Sequence, residues 1–255
     1  MSTINTVTEQ LTRAGQVIEH DSFAIIDSEA GPHAYTEAQW PIVRRMIHAN
    51  DDFEFNGLTD FHPDAVEAGL NALLHAKERG GIAMVADVEM ICVGLSRPRL
   101  AHFGVSTHQF ISDEDVIEQA KAEDTTRAVQ AMRKAHRLGL LDGVIVGIGN
   151  APTALIELVR LIREEGVRPA LVVGMPVGFV SAAESKDLMA TVPEVPWIVI
   201  RGRKGGSTLV VAALHALLAL AESRQKALVA QAPTQAAQTA QTAQTAPLAQ
   251  AGQHA

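Results

Sequence analysis

His48 is the residue whose chemical type and neighbours best fit proton transfer in this chain. Arg44 and Arg45 precede it by four and three residues, so in a helix all three side chains lie on one side. Two nearby cations disfavour the imidazolium form, whereas a ligand with several carboxylates would favour it. The histidine could then give up a proton only with such a ligand bound. The spacing of Arg44, Arg45 and His48 alone, however, is more typical of a surface histidine on a basic helix face.

Residues suited to anion binding lie in turns that join an apolar strand to a helix. One turn contains Gly174-Met-Pro-Val-Gly178. The Ser181-Ala-Ala-Glu184 that follows matches a capping box, which would start a helix and leave backbone N–H groups near Ser181 to meet an anion. The candidate ligand contacts in and after this turn are Gly178, Ser185 and Lys186.

Two further turns carry similar chemistry. In Gly149-Asn-Ala-Pro-Thr153 the proline takes a first-turn helix position, and the free amides there could receive a carboxylate beside Asn150. Arg201-Gly-Arg-Lys-Gly-Gly-Ser207 combines three cations with three glycines, which suits carboxylate recognition at Arg201 but also describes a solvated basic turn. Asp87, at the end of an apolar strand, is a further candidate for substrate binding.

Several common chemistries do not fit the sequence. Gly147 and Gly149 lack the third glycine of a dinucleotide fingerprint, and the lysine of the 201–207 turn precedes its glycine pair, unlike the lysine of a P-loop. No serine lies in a nucleophile-elbow pattern, and the histidines lack the spacing of a zinc site. We therefore expect no metal and no cofactor.

Short apolar segments alternate with helical patterns along residues 1–226. Strands are predicted at 82–86, 107–111, 143–148, 170–174 and 197–201, and helices at 8–27, 36–50, 63–79, 114–138, 152–165, 181–189 and 207–224. This alternation indicates a three-layer α/β fold: a mostly parallel sheet flanked by helices on both faces, in a single domain with N-terminal helices. The ligand crevice of such a sheet lies beyond the carboxyl ends of its strands, where the turn candidates fall.

Charge and composition restrict the partners. The chain has 21 Lys plus Arg against 29 Asp plus Glu, a formal net charge of -8, which argues against a nucleic-acid or anionic-membrane surface. No run of about 18 uncharged apolar residues suggests a membrane span, and the N-terminus lacks a secretion pattern. The single cysteine, Cys92, fits a reducing compartment. We expect a cytoplasmic protein with no nucleic-acid or membrane partner.

Residues 227–255 form a low-complexity tail of Ala, Gln and Thr with repeated Gln-Thr-Ala. Because few large apolar side chains are available for burial there, we expect the tail to be disordered. The alternative is an Ala-rich extension of the last helix, which Pro233 and Pro247 would interrupt.

Four segments in one order, 87–96, 149–155, 174–187 and 201–207, resemble the precorrin-8X methylmutase family of cobalamin biosynthesis, whose members also include cobalt-precorrin-8 methylmutases. The resemblance covers roughly residues 15 to 220. It implies that His48, in Arg44-Arg-Met-Ile-His-Ala-Asn50, is a general acid. It also implies substrate contacts by Ser22, Arg45 and Arg127, although Arg127 could instead be a solvated residue on a long helix.

The activity that the resemblance implies is an isomerisation. A methyl group moves from C-11 to C-12 of a corrinoid macrocycle, giving hydrogenobyrinate or cobyrinate, and the enzyme is a homodimer. Such a shift needs no external nucleophile or redox partner. The alternatives are a noncatalytic corrinoid-binding or carrier protein, and a general metabolite-binding α/β domain that would leave the four motifs unexplained. Residues 51–55 are similar to the early-cobalt variant of the family, and the presence of cobalt in the substrate stays open.

Overall fold

The computed structural model describes residues 12–244, with side chains described up to residue 230. Its strands are β1 (Thr59–Phe61), β2 (Ile82–Ala86), β3 (Val105–His108), β4 (Ile145–Ile148), β5 (Leu171–Gly174) and β6 (Trp197–Ile200). They form one sheet in the order β1-β6-β5-β4-β2-β3, in which every neighbouring pair is parallel except β1 with β6. The predicted mostly parallel sheet is confirmed.

Helices fill the connections between these strands. Over the described residues they are α1 (Arg13–Glu29), α2 (Trp40–Asn50), α3 (Phe55–Leu58), α4 (Ala65–Leu74), α5 (Glu89–Gly94), α6 (Arg97–Phe103), α7 (Glu114–Ala122), α8 (Arg127–Arg137), α9 (Pro152–Glu164), α10 (Ala182–Ala190) and α11 (Ser207–Gln244). A 3₁₀ turn occupies Lys77–Arg79.

The helices cover both faces of the sheet because the central strands are apolar on both faces. Along β5, Leu171 and Val173 join a buried cluster with α1, α2, α4 and α11, whereas Val172 joins a second cluster with α8, α9 and α10. Burying each such Leu, Ile or Val side chain contributes about 1.5–3 kcal/mol. The predicted three-layer architecture follows from this alternation and is confirmed.

Short elements depart most from the sequence prediction. β1 was not predicted, because three residues on an antiparallel edge carry no periodic signal, and β3 begins two residues earlier than expected. The helices α5 and α6, of six and seven residues, were also missed. The helix predicted at 63–79 is α4 followed by the 3₁₀ turn.

The long helix predicted at 114–138 is two helices. The break between α7 and α8 includes Asp124, whose backbone is left-handed with φ 52°. Thr126 then caps α8, because its hydroxyl oxygen accepts the N–H of Val129 at 3.2 Å. A cap in the middle of an amphipathic pattern ends one helix and starts the next, and it sets Arg127 at the start of α8.

The N-terminal helices pack across one another above the sheet. The prediction at 8–27 began within residues outside the described part, and α1 starts after Thr12, whose side chain accepts the N–H of Gly15. Before α2, the Thr36 N–H donates to the Gln39 side chain at 3.0 Å, and the Gln39 N–H donates to the Thr36 hydroxyl at 3.2 Å. This reciprocal pair is a capping box before α2.

The last helix, α11, continues through the start of the low-complexity tail as far as Gln244. Ala and Gln, which are frequent there, have a high helix propensity, and the disorder of residues 227–255 stays a prediction. Residues 245–255 lie outside the described part, and the boundary at residue 226 stays a prediction. By length and composition alone, the Ser207–Ala230 stretch could cross a membrane, but 67% of its most apolar window is buried in the fold, as in a core helix.

Candidate active site

The turns that follow β4, β5 and β6 lie side by side at the carboxyl edge of the sheet. The Met175 N–H donates to the Ile148 carbonyl at 2.7 Å, and the Gly206 N–H donates to the Met175 carbonyl at 2.8 Å. Gly205 approaches so closely that a Cβ there would lie 2.3 Å from the Met175 carbonyl oxygen. The turns therefore form one continuous surface at the crevice end of the sheet.

Asp87 occupies the anion site that the sequence assigned to a ligand. Its side chain is fully buried, and its oxygens accept the N–H groups of Gly149 at 3.0 Å, Asn150 at 2.8 Å and Ala151 at 2.8 Å. These amides at the start of α9, which have no acceptor within the helix, thus bind an internal carboxylate. Burial raises the pKa of Asp87, and the amides act in the opposite direction. Asp87 fixes the turn that carries Asn150.

The turn after β5 reaches α10 without a capping box, so that prediction is wrong. Ser181 has a left-handed backbone (φ 59°) and makes no side-chain cap, whereas a capping residue needs an extended backbone to aim its oxygen at the first turn. Ser185 is fully buried, and its hydroxyl donates to the Ala182 carbonyl at 3.0 Å. Gly178 lies in this turn with φ 150°, a conformation that favours glycine.

Lys186 is a buried cation that fastens the 201–206 turn to α10. Its side chain lies almost wholly inside the fold, and Nζ donates to the Lys204 carbonyl at 2.6 Å. Burial lowers the pKa of Lys186 to about 8. The Lys204 ammonium in turn contacts Asp52 at 2.5 Å and Glu54 at 2.9 Å, just after α2. The turn is thereby tied to the helix that carries His48.

Replacing Lys186 by Met should remove a pH dependence of stability. The pKa is about 8 in the fold against an ordinary 10.5, so between these values the unfolded chain binds the extra proton and stability rises with pH. Urea unfolding between about pH 8 and pH 10 should show this rise in the wild type and lose it in Lys186→Met. Lys121→Met, at an exposed site on α7, is the control and should keep the rise. An unchanged rise in Lys186→Met would contradict the assignment.

Arg201 is engaged at the edge of the sheet. Its Nη1 donates to the Asp60 carboxylate at 3.0 and 3.2 Å, and its Nη2 donates to the Gly57 carbonyl. The Arg201 side chain is 54% exposed, so a ligand carboxylate can reach it only by sharing the guanidinium with β1. The neighbouring Arg203 lies over the Phe179 ring at 5.6 Å.

His48 lies where α1 crosses α2. Its Nδ1 is 2.9 Å from the Ser22 hydroxyl oxygen, and the Phe23 ring meets the imidazole edge to face at 5.2 Å. The imidazole is exposed on a pocket of about 240 Å³. The pocket is lined by Ser22, Ile25, Ile26, Glu29, Ile47, His48, Asp51 and Phe53. Partial burial and then the charge of Arg45 lower the pKa of His48 from 6.5, as the sequence predicted for a histidine beside arginines.

Arg45 faces inward from α2. One guanidinium nitrogen lies 2.6 Å from the Glu19 carboxylate, and the two side chains are 15% and 24% exposed. Burial, with the nearby charge of Arg99, lowers the pKa of Arg45 to about 10, so it stays cationic at neutral pH. Arg45 also lines a second pocket of about 200 Å³ against α11.

Arg127 and Asn150 share a separate cleft. It holds about 480 Å³ between the start of α8, the start of α9 and the start of α5, and it includes the exposed Met90. The hydroxyls of Thr126 and Thr153 lie 2.9 Å apart and join the two helix starts. The structure therefore brings Ser22 to His48 and Arg127 to Asn150, in two clefts.

Residues 17–220 match the sequence model of the precorrin-8X methylmutase family. The chain belongs to this family. It is therefore a methylmutase, an enzyme of the isomerase class.

Named relatives span nearly the same length as this methylmutase. A cobalt-precorrin-8 methylmutase of Leptospira interrogans is 50% identical, with 84% of this chain and 98% of the relative covered. The enzyme of that name from Priestia megaterium is 51% identical, over 84% of this chain and 91% of the relative. A precorrin-8X methylmutase of Pseudomonas aeruginosa is 37% identical, over 80% of this chain and 95% of the relative.

A solved structure supports the same fold. The precorrin-8x methyl mutase of Thermus thermophilus superimposes with a TM-score of 0.74 at 50% identity, covering 81% of this chain and 98% of that one. Over the described residues, this methylmutase has no group of three or more His, Cys, Asp or Glu side chains that could hold a metal ion.

Some residues of the candidate site were not predicted from the sequence. Glu19, Glu29 and Asp51 place carboxylates around Arg45 and His48. Glu19 lies one helical turn before Ser22, so the spacing on α1 could have indicated that both side chains share one face of the helix. The Asp60 partner of Arg201 is 141 residues away along the chain, and no local pattern could reveal it.

Proposed function

We propose that this methylmutase moves a methyl group from C-11 to C-12 of a precorrin-8 macrocycle, with or without cobalt, and that His48 is the general acid. The observation that carries the proposal is the Ser22–His48 pair, whose imidazole opens onto a pocket in a member of the family. The products would be hydrogenobyrinate or cobyrinate.

The role of the acid follows from the protonation of His48. Its lowered pKa leaves the imidazole mostly neutral in the free protein at pH 7, and the carboxylates of a bound corrinoid would favour the imidazolium. With the Ser22 hydroxyl at Nδ1, Nε2 is the nitrogen left to donate to the macrocycle. Protonation makes the migration terminus more electron-poor. Substrate and product are isomers, so the proton must return to the protein after the shift.

The predicted contacts divide into two groups by burial. We propose that Ser22, Arg45, Arg127, Asn150, Gly178 and Arg201 meet the corrinoid or its carboxylates, because each lies in or beside a cleft or in a turn that follows a strand. Asp87, Ser185 and Lys186 are buried with their polar atoms bonded inside the fold, so we propose that they hold the turns in place. Large ligands need both an apolar cleft and separated polar contacts.

We propose that the enzyme works as a homodimer in the cytoplasm. The apolar side chains of Val177, Phe179 and Val180 are 46%, 86% and 82% exposed beside the crevice. Such a cluster is typical of a surface covered by a partner or by a ligand. The single cysteine fits a reducing compartment.

Phe179→Asp should therefore weaken the dimer about tenfold or more, because a desolvated carboxylate would lie in the interface. Sedimentation equilibrium of the full chain measures it. Leu138→Asp is the matched control: Leu138 is 55% exposed, but it ends α8 at the opposite edge of the sheet, and the dimer should persist. A monomeric wild type, or equal effects of the two variants, would contradict this interface.

The test of the function is an anaerobic incubation of the protein with precorrin-8x and, separately, with cobalt-precorrin-8. The visible absorption of the chromophore should change as the macrocycle rearranges, and the faster substrate tells which form the enzyme serves. A noncatalytic corrinoid carrier is the second candidate. Tight binding of both macrocycles without spectral conversion would favour the carrier and contradict the proposed isomerase.

A further inference from the structure

One side of α1 supplies several groups that face the catalytic segment of α2. Glu19, Ser22 and Phe23 are spaced by three and four residues and so share a face of the helix. Glu19 contacts Arg45, and Ser22 contacts His48. Phe23 lies between these pairs, with its ring centroid 5.7 Å from the Arg45 guanidinium carbon and 5.2 Å from the imidazole centroid.

The Glu19–Arg45 pair involves the arginine whose charge lowers the pKa of His48. The 2.6 Å contact joins two side chains that are less than one quarter exposed, so solvent screens the pair only in part. The charge of Arg45 disfavours the protonated imidazole. A carboxylate fixed against Arg45 offsets that charge, and it also fixes the position of the guanidinium.

We propose that Glu19 is a positioning residue for His48. Glu19 acts through Arg45 and favours the protonated imidazole, the form of His48 that donates the proton. The inference rests on the proposed function, in which His48 donates this proton to the macrocycle. Nothing requires Glu19 to touch the substrate.

Other charged groups surround both partners and set the background. Around His48 these are Glu29 of α1, Arg44 and Arg45 of α2, and Asp51 after α2. Around Arg45 they include Arg99 of α6 and, on α11, His215 and the Glu222 partner of Arg99. All of these remain when only Glu19 is changed, so a single substitution isolates its contribution.

The test is a ¹H–¹⁵N NMR titration of the full chain, in which the His48 signal is identified by its loss in His48→Gln. In Glu19→Gln we expect the pKa of His48 to fall by about half a unit, the size expected when one carboxylate charge beside Arg45 is removed from a partly solvated helix pair. Glu19→Asp keeps the charge, so the pKa of His48 in this variant should lie close to the wild-type value. This comparison also controls for a general loss of folding in Glu19→Gln.

The matched control is Asp27→Asn. Asp27 and Arg44 form the neighbouring α1–α2 ion pair, also at 2.6 Å, whereas the pKa of His48 is lowered by burial and then by the charge of Arg45. This variant should leave the His48 titration in place. An unchanged or raised His48 pKa in Glu19→Gln, or an equal shift in Asp27→Asn, would overturn the proposal.

A rate measurement separates this inference from the proposed function. The descending limb of kcat/KM with pH should move to lower pH in Glu19→Gln by the same half unit, because kcat/KM reports the free enzyme. If the NMR shift appears and the rate profile stays fixed, Glu19 still tunes His48, but His48 is not the acid.

Discussion

His48→Ala should lower turnover by about 10²- to 10⁴-fold while corrinoid binding stays within a few-fold of the wild type. The reason is that proton donation acts in the transition state, whereas most of the proposed binding surface lies elsewhere, including the cleft with Arg127 and Asn150. Single-turnover rates measure the first quantity, and absorbance titration with the bound macrocycle measures the second.

The matched control for this variant is His75→Ala. His75 ends α4 at the opposite edge of the sheet, where its ring contacts the Asn71 carbonyl at 3.0 Å. Its removal should leave turnover unchanged. Turnover of His48→Ala at the wild-type rate would contradict the acid assignment, and a loss of binding equal to the loss of rate would assign His48 to ligand recognition instead.

The pH dependence has a definite sign if His48 is the acid. The imidazolium is the active form, so kcat/KM falls as pH rises through the His48 pKa, which burial and Arg45 hold below 6.5. Bound carboxylates stabilise the imidazolium, so kcat falls at a higher pH than kcat/KM. The gap between the two limbs therefore measures how strongly the substrate charges the acid.

Asp87→Asn should destabilise the protein by about 2–4 kcal/mol and lower turnover about 10- to 100-fold. An amide of the same size can accept fewer of the three hydrogen bonds, and its NH₂ group faces the N–H of Gly149, Asn150 or Ala151. The turn relaxes, and Asn150 moves in the cleft that it shares with Arg127. Urea unfolding and steady-state rates measure the two effects.

Asp142→Asn provides the comparison. Asp142 also accepts a backbone N–H, that of Arg168 at 2.6 Å, but it is exposed, so water replaces the lost contact. We expect a loss of less than about 1 kcal/mol and normal turnover. Equal effects of the two substitutions would show that the buried carboxylate has no special role in the turn.

Local sequence patterns were enough for the sheet but not for its edge. The strand at 82–86 was predicted with the bounds that β2 has, because a buried strand is apolar on both faces. β1 depends on its antiparallel register with β6, in which Asp60 lies opposite Val199, and no signal within three residues could show this. The family resemblance, placed at about 15 to 220, agrees with the matched residues 17–220.

The candidate site shows the same division between local and distant information. The helical spacing of Arg45 and His48 correctly indicated a lowered histidine pKa. The amides at the start of α9 were recognised as an anion site, but the identity of their anion depended on Asp87, which is 62 to 64 residues earlier in the chain. Ser181 fits a capping box by residue type, and only its backbone conformation excludes the cap.

The most direct test of the central claim follows the methyl group itself. A macrocycle carrying ¹³C in the C-11 methyl group is mixed with an equal amount of macrocycle that carries deuterium in a different methyl group, one that does not migrate, and the products are read by ¹³C NMR and mass spectrometry. Transfer within one molecule predicts that the ¹³C signal appears at C-12, that no product carries both labels or neither, and that His48→Ala slows this transfer. Scrambling of the labels between molecules, or a methyl group that stays at C-11, would contradict the proposed isomerisation.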